Sequence, residues 1–496
     1  MEYLMGDELN SVFDHERVAF SRTEYDRISE SFRMYAGDYP DVEYRNSEGK
    51  TKTRPYMHLN MMNEVSRHLG GVLFNEQCRI SFNNKEIDED FINHTLEHND
   101  FMKNFSKYVQ VMLATGGLTV KPYYDASSDE FEFSWGLADT FIPLRSNSNN
   151  ISEAVITSHT QMVMGDKKVY YTLLEFHEWN DGRYVITNEL YRSDKSDVMG
   201  KRVPLSELYE DLNEETVFNN FSRPNFAYVS PFGFNNQSPQ SPLGLGVADN
   251  AKQTLIQIND TYDQYHWEIK QGKRKIAVSD HFLKTRPDAQ GRPVQYFDDD
   301  TDIFQAIPGG MDDMVVKDLT MDIRSREYIE SINMFIQLLE MQVGLSVGTF
   351  TFDGKSVKTA TEVVSENSMT YRTRNSHLKN IEQFIQELII SLVEVASETL
   401  DAEGKPMYQG AIPSRGDIVV DFDDGLFTDK AQELEFWSKA KLAGLAPDRE
   451  AMKRIHNLTD KEADEWYKMI QEEQYDVDPR EEQRRAESTL LGDYKE

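Results

Sequence analysis

A single cysteine, Cys78, stands in 496 residues. That excludes an intrachain disulfide and a thiolate-rich zinc site, which needs several cysteines, and it makes reducing cytosol the expected compartment. Basic residues are also scarce: 53 Lys and Arg against 86 Asp and Glu give a formal charge of -33. Tight binding to nucleic acid by phosphate neutralisation needs a basic face, so a tight DNA binder is not expected. No run of about 20 apolar residues occurs, which removes the expectation of a membrane-spanning helix. The opening residues MEYLMGDELN lack the basic start and apolar core of a signal peptide, so export by that route is not expected either.

What is present is a 57.5 kDa chain, enough for roughly two to four domains with cores of ordinary size. From Met1 to about Phe74 it reads helical, with Tyr56, Leu59, Val65, Leu69 and Val72 at three- and four-residue steps. Between about Gly117 and Arg192 the period shortens: Tyr123, Phe131, Phe133, Trp135, Val169, Tyr171, Leu173, Tyr184, Ile186 and Leu190 mark alternating strands. SNSNNIS (146–152) reads as an exposed loop and Asn180-Asp181-Gly182 as a turn between strands. FNNQSPQSPLGLG (234–246) carries two Ser-Pro pairs and reads as irregular, with a domain boundary near Leu243.

Beyond it, Ala251, Leu255, Ile258, Tyr262, Tyr265 and Ile269 recur at helical spacing over 247–270. A Pro- and Gly-punctuated stretch from Gly272 to Ile323 reads as a small α/β insertion, with strands at 275–278, 294–297 and 303–307. A second helix over 324–344 follows, then SVGTFTFDGKSVK (346–358) as a loop, then the longest helical stretch, 359–400. A strand over 418–422 leads to charged helices at 430–443, 448–455 and 460–474. The expected fold class is α+β, mainly α.

Chemical motifs fail on spacing. Gly354-Lys355-Ser356 has the ending of a phosphate-binding loop, but that loop needs glycine where Thr349 stands, and Gly348 comes one residue early. Asp298, Asp299, Asp300 and Asp302, and separately Asp421, Asp423 and Asp424, offer oxygens to a divalent cation. A calcium loop begun at Asp421 would have Gly425 at its fifth position and Gln432 at its twelfth, where glycine belongs at the sixth and glutamate at the twelfth. Solvated turns of an acidic protein explain these clusters as well. The histidines, among them His58, His68, His266, His281 and His377, form no HExxH pair, and no GxSxG elbow occurs. Trp267, Tyr262 and Tyr265 could stack on bases, but at helical spacing they read as packing residues. No catalytic residue, metal ligand or cofactor site is assigned.

The order of elements, together with SPLGLG, FDDDTDIFQ, MQVGLSVGTFTFDGKSVKTATEVVSENSMTYRT and LAGLAPDREAMKRIHNLTDKEADE, resembles the portal family of tailed bacteriophages. The likeness is to the branch common in phages of Gram-positive hosts, also labelled minor capsid protein. It spans nearly the whole chain and is most specific from Ser241 to Glu472. The resemblance implies a portal fold: a wing over 1–242, a first stem helix over 243–271, a clip over 272–323, and a second stem helix over 324–345. It further implies a tunnel loop over 346–358, a long helix and wing return strand over 359–429, and a crown and tail over 430–496.

It also implies a dodecameric ring at a capsid vertex of the virion, assembled in the host cytoplasm, that conducts double-stranded DNA during packaging and ejection. The implied partners are the terminase large subunit, a head-completion adaptor at the head-tail connector, and major capsid and scaffold proteins, with no membrane involved. Val347, Gly348, Thr349, Phe350, Thr351, Phe352, Asp353, Gly354, Lys355, Ser356 and Lys358 would face DNA in the tunnel loop. Arg274, Lys275, Lys284, Arg286 and Arg292, dense for so acidic a chain, would serve partner docking at the clip. The competing readings are an ATPase or nuclease of the packaging apparatus, suggested by the GKS triplet and the Asp clusters, and a capsid or adaptor protein without a channel.

Overall fold

The computed structural model describes residues 8–45, 49–74, 78–147, 150–165, 167–272, 276–278, 284–287, 293–296, 316–318, 322–350, 368–401, 403–422, 430–445, 447–456 and 460–475. The described residues fall into two compact units, one reaching residue 422 and one beginning at residue 430. Helices and sheets are both present, as expected of an α+β chain.

Helix α1 (Arg22–Ala36) buries Tyr25, Ile28 and Met34 along one side. Helix α2 (Met61–Leu73) buries Met62, Val65, Leu69 and Leu73. Between them the helical reading of residues 1–74 is wrong, because β1 (Val42–Arg45) and β2 (Thr51–Arg54) pair antiparallel there. Half-buried and exposed residues alternate along β1, and that period of two belongs to a strand. Next come β3 (Arg79–Phe82), α3 (Glu89–His98) and α4 (Phe101–Thr115).

The strand-rich region is where the alternation places it. It comprises β4 (Leu118–Asp125), β5 (Glu130–Leu137), β6 (Phe141–Ser146), β7 (Ile151–Met164), β8 (Lys167–Asn180) and β9 (Arg183–Ser193). Strands β8 and β9 meet at Asp181-Gly182, whose φ values are 48° and 80°, as a two-residue primed hairpin turn demands. Shorter strands β10 (Lys201–Val203), β11 (Glu215–Phe218) and β12 (Ala227–Val229) complete two sheets. One is ordered β10-β9-β8-β7-β6 with β11 also on β9, and the other β12-β4-β5.

Helix α5 (Lys252–Gln271) precedes an insertion in which β13 (Ile276–Val278) pairs with β16 (Val316–Asp318), and β14 (Lys284–Pro287) with β15 (Pro293–Tyr296). The strand expected at 303–307 lies outside the described residues. Helix α6 (Ser325–Gln342) follows, then α7 (Ser368–Glu398), whose expected first residues, 359–367, also lie outside.

From Ile381 onward α7 is buried on almost every side: Phe384, Ile385, Leu388, Ile389, Leu392 and Val393 are all sealed from water. A helix apolar all round belongs in the middle of a core, and α7 packs on β4, β12 and α2. Strand β17 (Ile418–Asp421) returns to pair antiparallel with β3. The smaller unit contains α8 (Lys430–Leu442), α9 (Asp448–His456) and α10 (Asp460–Tyr475), close to the helices read from the sequence.

Candidate functional site

Helices α5 and α6 form an antiparallel pair. At one end Thr254 Oγ1 donates to Gln342 Oε1 at 2.8 Å. At the other, Arg324 donates from its guanidinium to Glu268 at 2.6 Å and from its backbone at 3.0 Å, and the Tyr328 hydroxyl adds a third donor at 2.9 Å. Those donors hold the half-buried Glu268 carboxyl down to about 2, Arg324 contributing most. The rings of Tyr265 and Tyr328 stack with centroids 5.2 Å apart. With about 1.5 Å of rise per residue, α5 spans about 30 Å.

The N-terminal region braces α5 from outside. Arg54 forks onto both Asp263 oxygens at 2.5 Å, Tyr56 donates to Asp260 at 2.6 Å, and Leu59 N–H to Asn259 at 3.2 Å. Trp267 lies between Tyr44 and the Arg54 guanidinium. It is a packing residue, as its spacing suggests.

Past α6 the chain turns into a segment whose ends are tied together. Ser346 N–H donates to Thr370 Oγ1 at 2.9 Å and Thr370 N–H returns to Ser346 Oγ at 3.3 Å, while Thr373 Oγ1 donates to the Gly344 carbonyl at 2.7 Å. The carboxylate of Glu340, fully buried, accepts Gly348 N–H at 2.8 Å and Phe350 N–H at 2.5 Å. Thr349 Oγ1 donates to the Ser346 carbonyl at 2.6 Å, and Phe350 meets the His68 ring edge-on. Ser346 and Thr370, 24 positions apart in sequence, therefore meet at one place.

A second junction joins α1 to the segment before α5. Asp249, with its side chain sealed from water, accepts from the Arg27 guanidinium, from Ser31 Oγ at 2.8 Å and from Gly246 N–H at 2.9 Å. Arg27 also donates to the Gly244 carbonyl at 3.0 Å. The glycines of SPLGLG are needed here. A Cβ on Gly246 would overlap the Ala114 carbonyl oxygen, and one on Gly244 would come within 2.6 Å of the Gly116 carbonyl oxygen.

A buried polar constellation elsewhere has the residue types of a site but no access for a substrate. Lys121 donates to Glu175, which takes His177 Nε2 at 2.6 Å, and His177 Nδ1 lies 2.9 Å from the Tyr184 hydroxyl. The group has the types of a proton relay, but His177 and Tyr184 are sealed from solvent, so no substrate reaches them. Glu175 is held well below the usual carboxylate range by Lys121 and His177 against the cost of burial. Among the described residues no cluster of three or more His, Cys, Asp or Glu is arranged to hold a metal ion.

One residue sets a pH dependence. His377, buried, accepts Phe232 N–H at Nδ1 at 2.9 Å, which requires an unprotonated nitrogen, and burial pulls its pKa down to about 4. The unfolded chain takes up this proton near pH 6.5 and the native state only near 4. Stability is therefore lost as pH falls through that window, by about 3 kcal/mol in total. Urea midpoints of the wild type should drop between pH 7.5 and 4.5 more than those of His377→Gln, whose amide oxygen can accept the same N–H; equal drops would refute the assignment.

A family model described as "Phage portal protein, SPP1 Gp6-like" matches residues 16–476. The chain belongs to the phage portal protein family. Two solved structures are similar at low identity. A chain from "Virion of native gene transfer agent (GTA) particle" is 10% identical with a TM-score of 0.44, covering 86% of this chain and 93% of that one. A chain from "Neck of empty GTA particle computed with C6 symmetry" is 11% identical with a TM-score of 0.42, covering 87% and 93%. A search of curated proteins gives no match.

Portal proteins are structural, non-enzymatic proteins of the virion. In this portal chain the residues expected to meet DNA or partners are placed as follows. Val347, Gly348, Thr349 and Phe350 form the root described above, with Val347 exposed. Thr351, Phe352, Asp353, Gly354, Lys355, Ser356 and Lys358 lie outside the described residues, as do Arg274, Lys275 and Arg292. Lys284 and Arg286 are both on β14, opposite Tyr296 and Val294. Of the Asp clusters, Asp421 ends β17 opposite Arg79, while the others lie outside. Glu340, Arg27 and Asp249 were not singled out from the sequence. Glu340 had a signal, a carboxylate on the face of α6 that otherwise carries Ile332, Ile336, Leu339 and Val343.

Proposed function

We propose that this portal-family chain assembles into a ring, of about twelve copies as its family resemblance implies, that conducts double-stranded DNA at one capsid vertex. In this reading residues 1–242 and part of the region after 359 are the wing, and α5 and α6 the stem. The insertion 272–323 is the clip, 346–358 the tunnel loop and 430–496 the crown. Assembly takes place in the host cytoplasm, the ring helps nucleate the capsid, and the clip receives terminase and later a head-completion adaptor. The chain performs no chemistry itself.

The observation that supports this reading most is the tied segment at 346–370 beside the antiparallel α5–α6 pair. A loop whose two ends share one root can move as a unit without disturbing the helices that bear it. Electrostatics agree. Copies at -33 each repel phosphate over most of their surface, so DNA would slide instead of adhering. Lys355 and Lys358 supply local cation in the loop.

Negative-stain electron microscopy of the purified full chain is the test: closed rings with a central hole are expected, and a compact oligomer without a hole would overturn the reading. Reversing charge at the clip, in Arg286→Glu with Arg292→Glu, is expected to weaken terminase or adaptor binding by about tenfold or more while rings still form. Unchanged binding in a pull-down titration would remove the clip surface from the docking role.

A further inference from the structure

The strands β7 and β8 form a ribbon that outruns its sheet. Strand β6 covers β7 only from Ile151 to Ile156, and Thr157 N–H still reaches the Thr140 carbonyl at 2.8 Å. On the other side β9 pairs with β8 only from Tyr170. The outer edge of β7 from Ser158 to Met164, SHTQMVM, therefore has no strand partner among the described residues.

Open edges are templates for pairing, and folded proteins blunt them with proline, charge or a bulge. This stretch has no proline and no charged Lys, Arg, Asp or Glu, and its pairing with β8 runs without a register shift from Ala154 to Met164. Its end is apolar and in water: Met162 is 38%, Val163 68% and Met164 44% exposed. A free edge with an apolar tip is the form a partner covers.

The charge says which partner. Asp166 is the one acidic residue between Ala154 and Leu174, in a chain with 86 acidic residues, and Lys167 and Lys168 follow it directly. Residues 155–173 therefore carry a net charge of +1, two Lys against one Asp, in a chain whose net charge is -33. The ribbon's best complement is the acidic surface of another copy of this chain.

We propose that the outer half of the β7–β8 ribbon is a contact between neighbouring copies, its free edge and Met162-Val163-Met164 tip laid against the acidic surface of the next subunit. The proposal rests on the ring reading and names one contact within it. Its test places a photocrosslinker at the tip, benzophenone maleimide on Val163→Cys of the full-length chain. The native Cys78 is buried and its thiol is pushed up to about 12 by burial, with Asp421 adding to it, so it should resist labelling.

Rings are assembled from a mixture of ordinary and nitrogen-15 copies and illuminated. Crosslinks joining heavy to light peptides are expected, and Met162→Asp with Val163→Asp should raise the concentration needed for half assembly by at least tenfold. Rings that form normally but crosslink only within a chain, or that tolerate the aspartates, would overturn this contact and leave the ring reading standing. A wild type that never oligomerises would overturn both.

Discussion

Replacing Asp249 with alanine is expected to destabilise the larger unit by about 3 kcal/mol, the low end of what removing one partner from a buried ion pair costs. The low end applies because Arg27 keeps Glu24 at 3.3 Å and the Gly244 carbonyl, so its buried charge is only partly stranded. The loss also frees Ser31 Oγ and Gly246 N–H, and an unsatisfied buried donor adds about 1–3 kcal/mol in its own right. Surface pairs set the comparison. Arg326 and Glu330, exposed at i and i+4 on α6, should contribute about 0.3–0.5 kcal/mol.

The measurement is the urea midpoint of Asp249→Ala against Arg326→Ala, both in the full chain. An Asp249→Ala shift no larger than that of Arg326→Ala would show that the junction is not held by this charge. The double variant Arg27→Met with Asp249→Leu should recover much of the loss, since a buried pair exchanged for packed apolar groups is often neutral.

The same junction shows what the sequence carries and what it withholds. SPLGLG reads as an irregular boundary because glycine and Ser-Pro are local signals. The reason for its glycines is not local: a Cβ on Gly246 would meet the Ala114 carbonyl and one on Gly244 the Gly116 carbonyl, both more than a hundred residues earlier in the chain. Asn180-Asp181-Gly182 was legible because a primed turn is decided by two residues. Helices α5 and α6 were legible because one apolar stripe recurs over five turns. The pairing of β3 with β17 was not, since its partners lie more than 300 residues apart and each strand is only four residues long.

The β1–β2 hairpin is hidden for a related reason: Val42 and Tyr44 alternate with Glu43 and Arg45 over only four residues, and β2 is polar throughout, so the period of two is too short to stand out. Glu340 is the instructive middle case. Its helical position placed it on the buried face, but its partners, the N–H groups of Gly348 and Phe350, are backbone and leave no mark in the sequence.

Those two hydrogen bonds also determine how the loop should be removed. A deletion beginning at Gly348 would take away the Gly348 and Phe350 donors to Glu340, stranding a buried carboxylate and confounding function with folding. Removing Thr351 to Lys358 leaves Ser346, Gly348, Phe350 and the Thr370 contact in place. Rings of that variant are expected to form as in the wild type, because the paired helices and the loop root are untouched. Packaged or retained DNA should fall at least tenfold, measured as nuclease-protected genome per capsid when the variant replaces the wild-type chain during phage growth. Normal rings with normal DNA content would end the tunnel-loop assignment, whereas Glu340→Ala, which spares the loop but unties its root, should lower thermal stability as well as DNA content. A loop that merely plugs space would lose stability in Glu340→Ala without losing DNA in either variant. A loop that follows moving DNA needs its residues and its anchor, and the two variants separate those requirements.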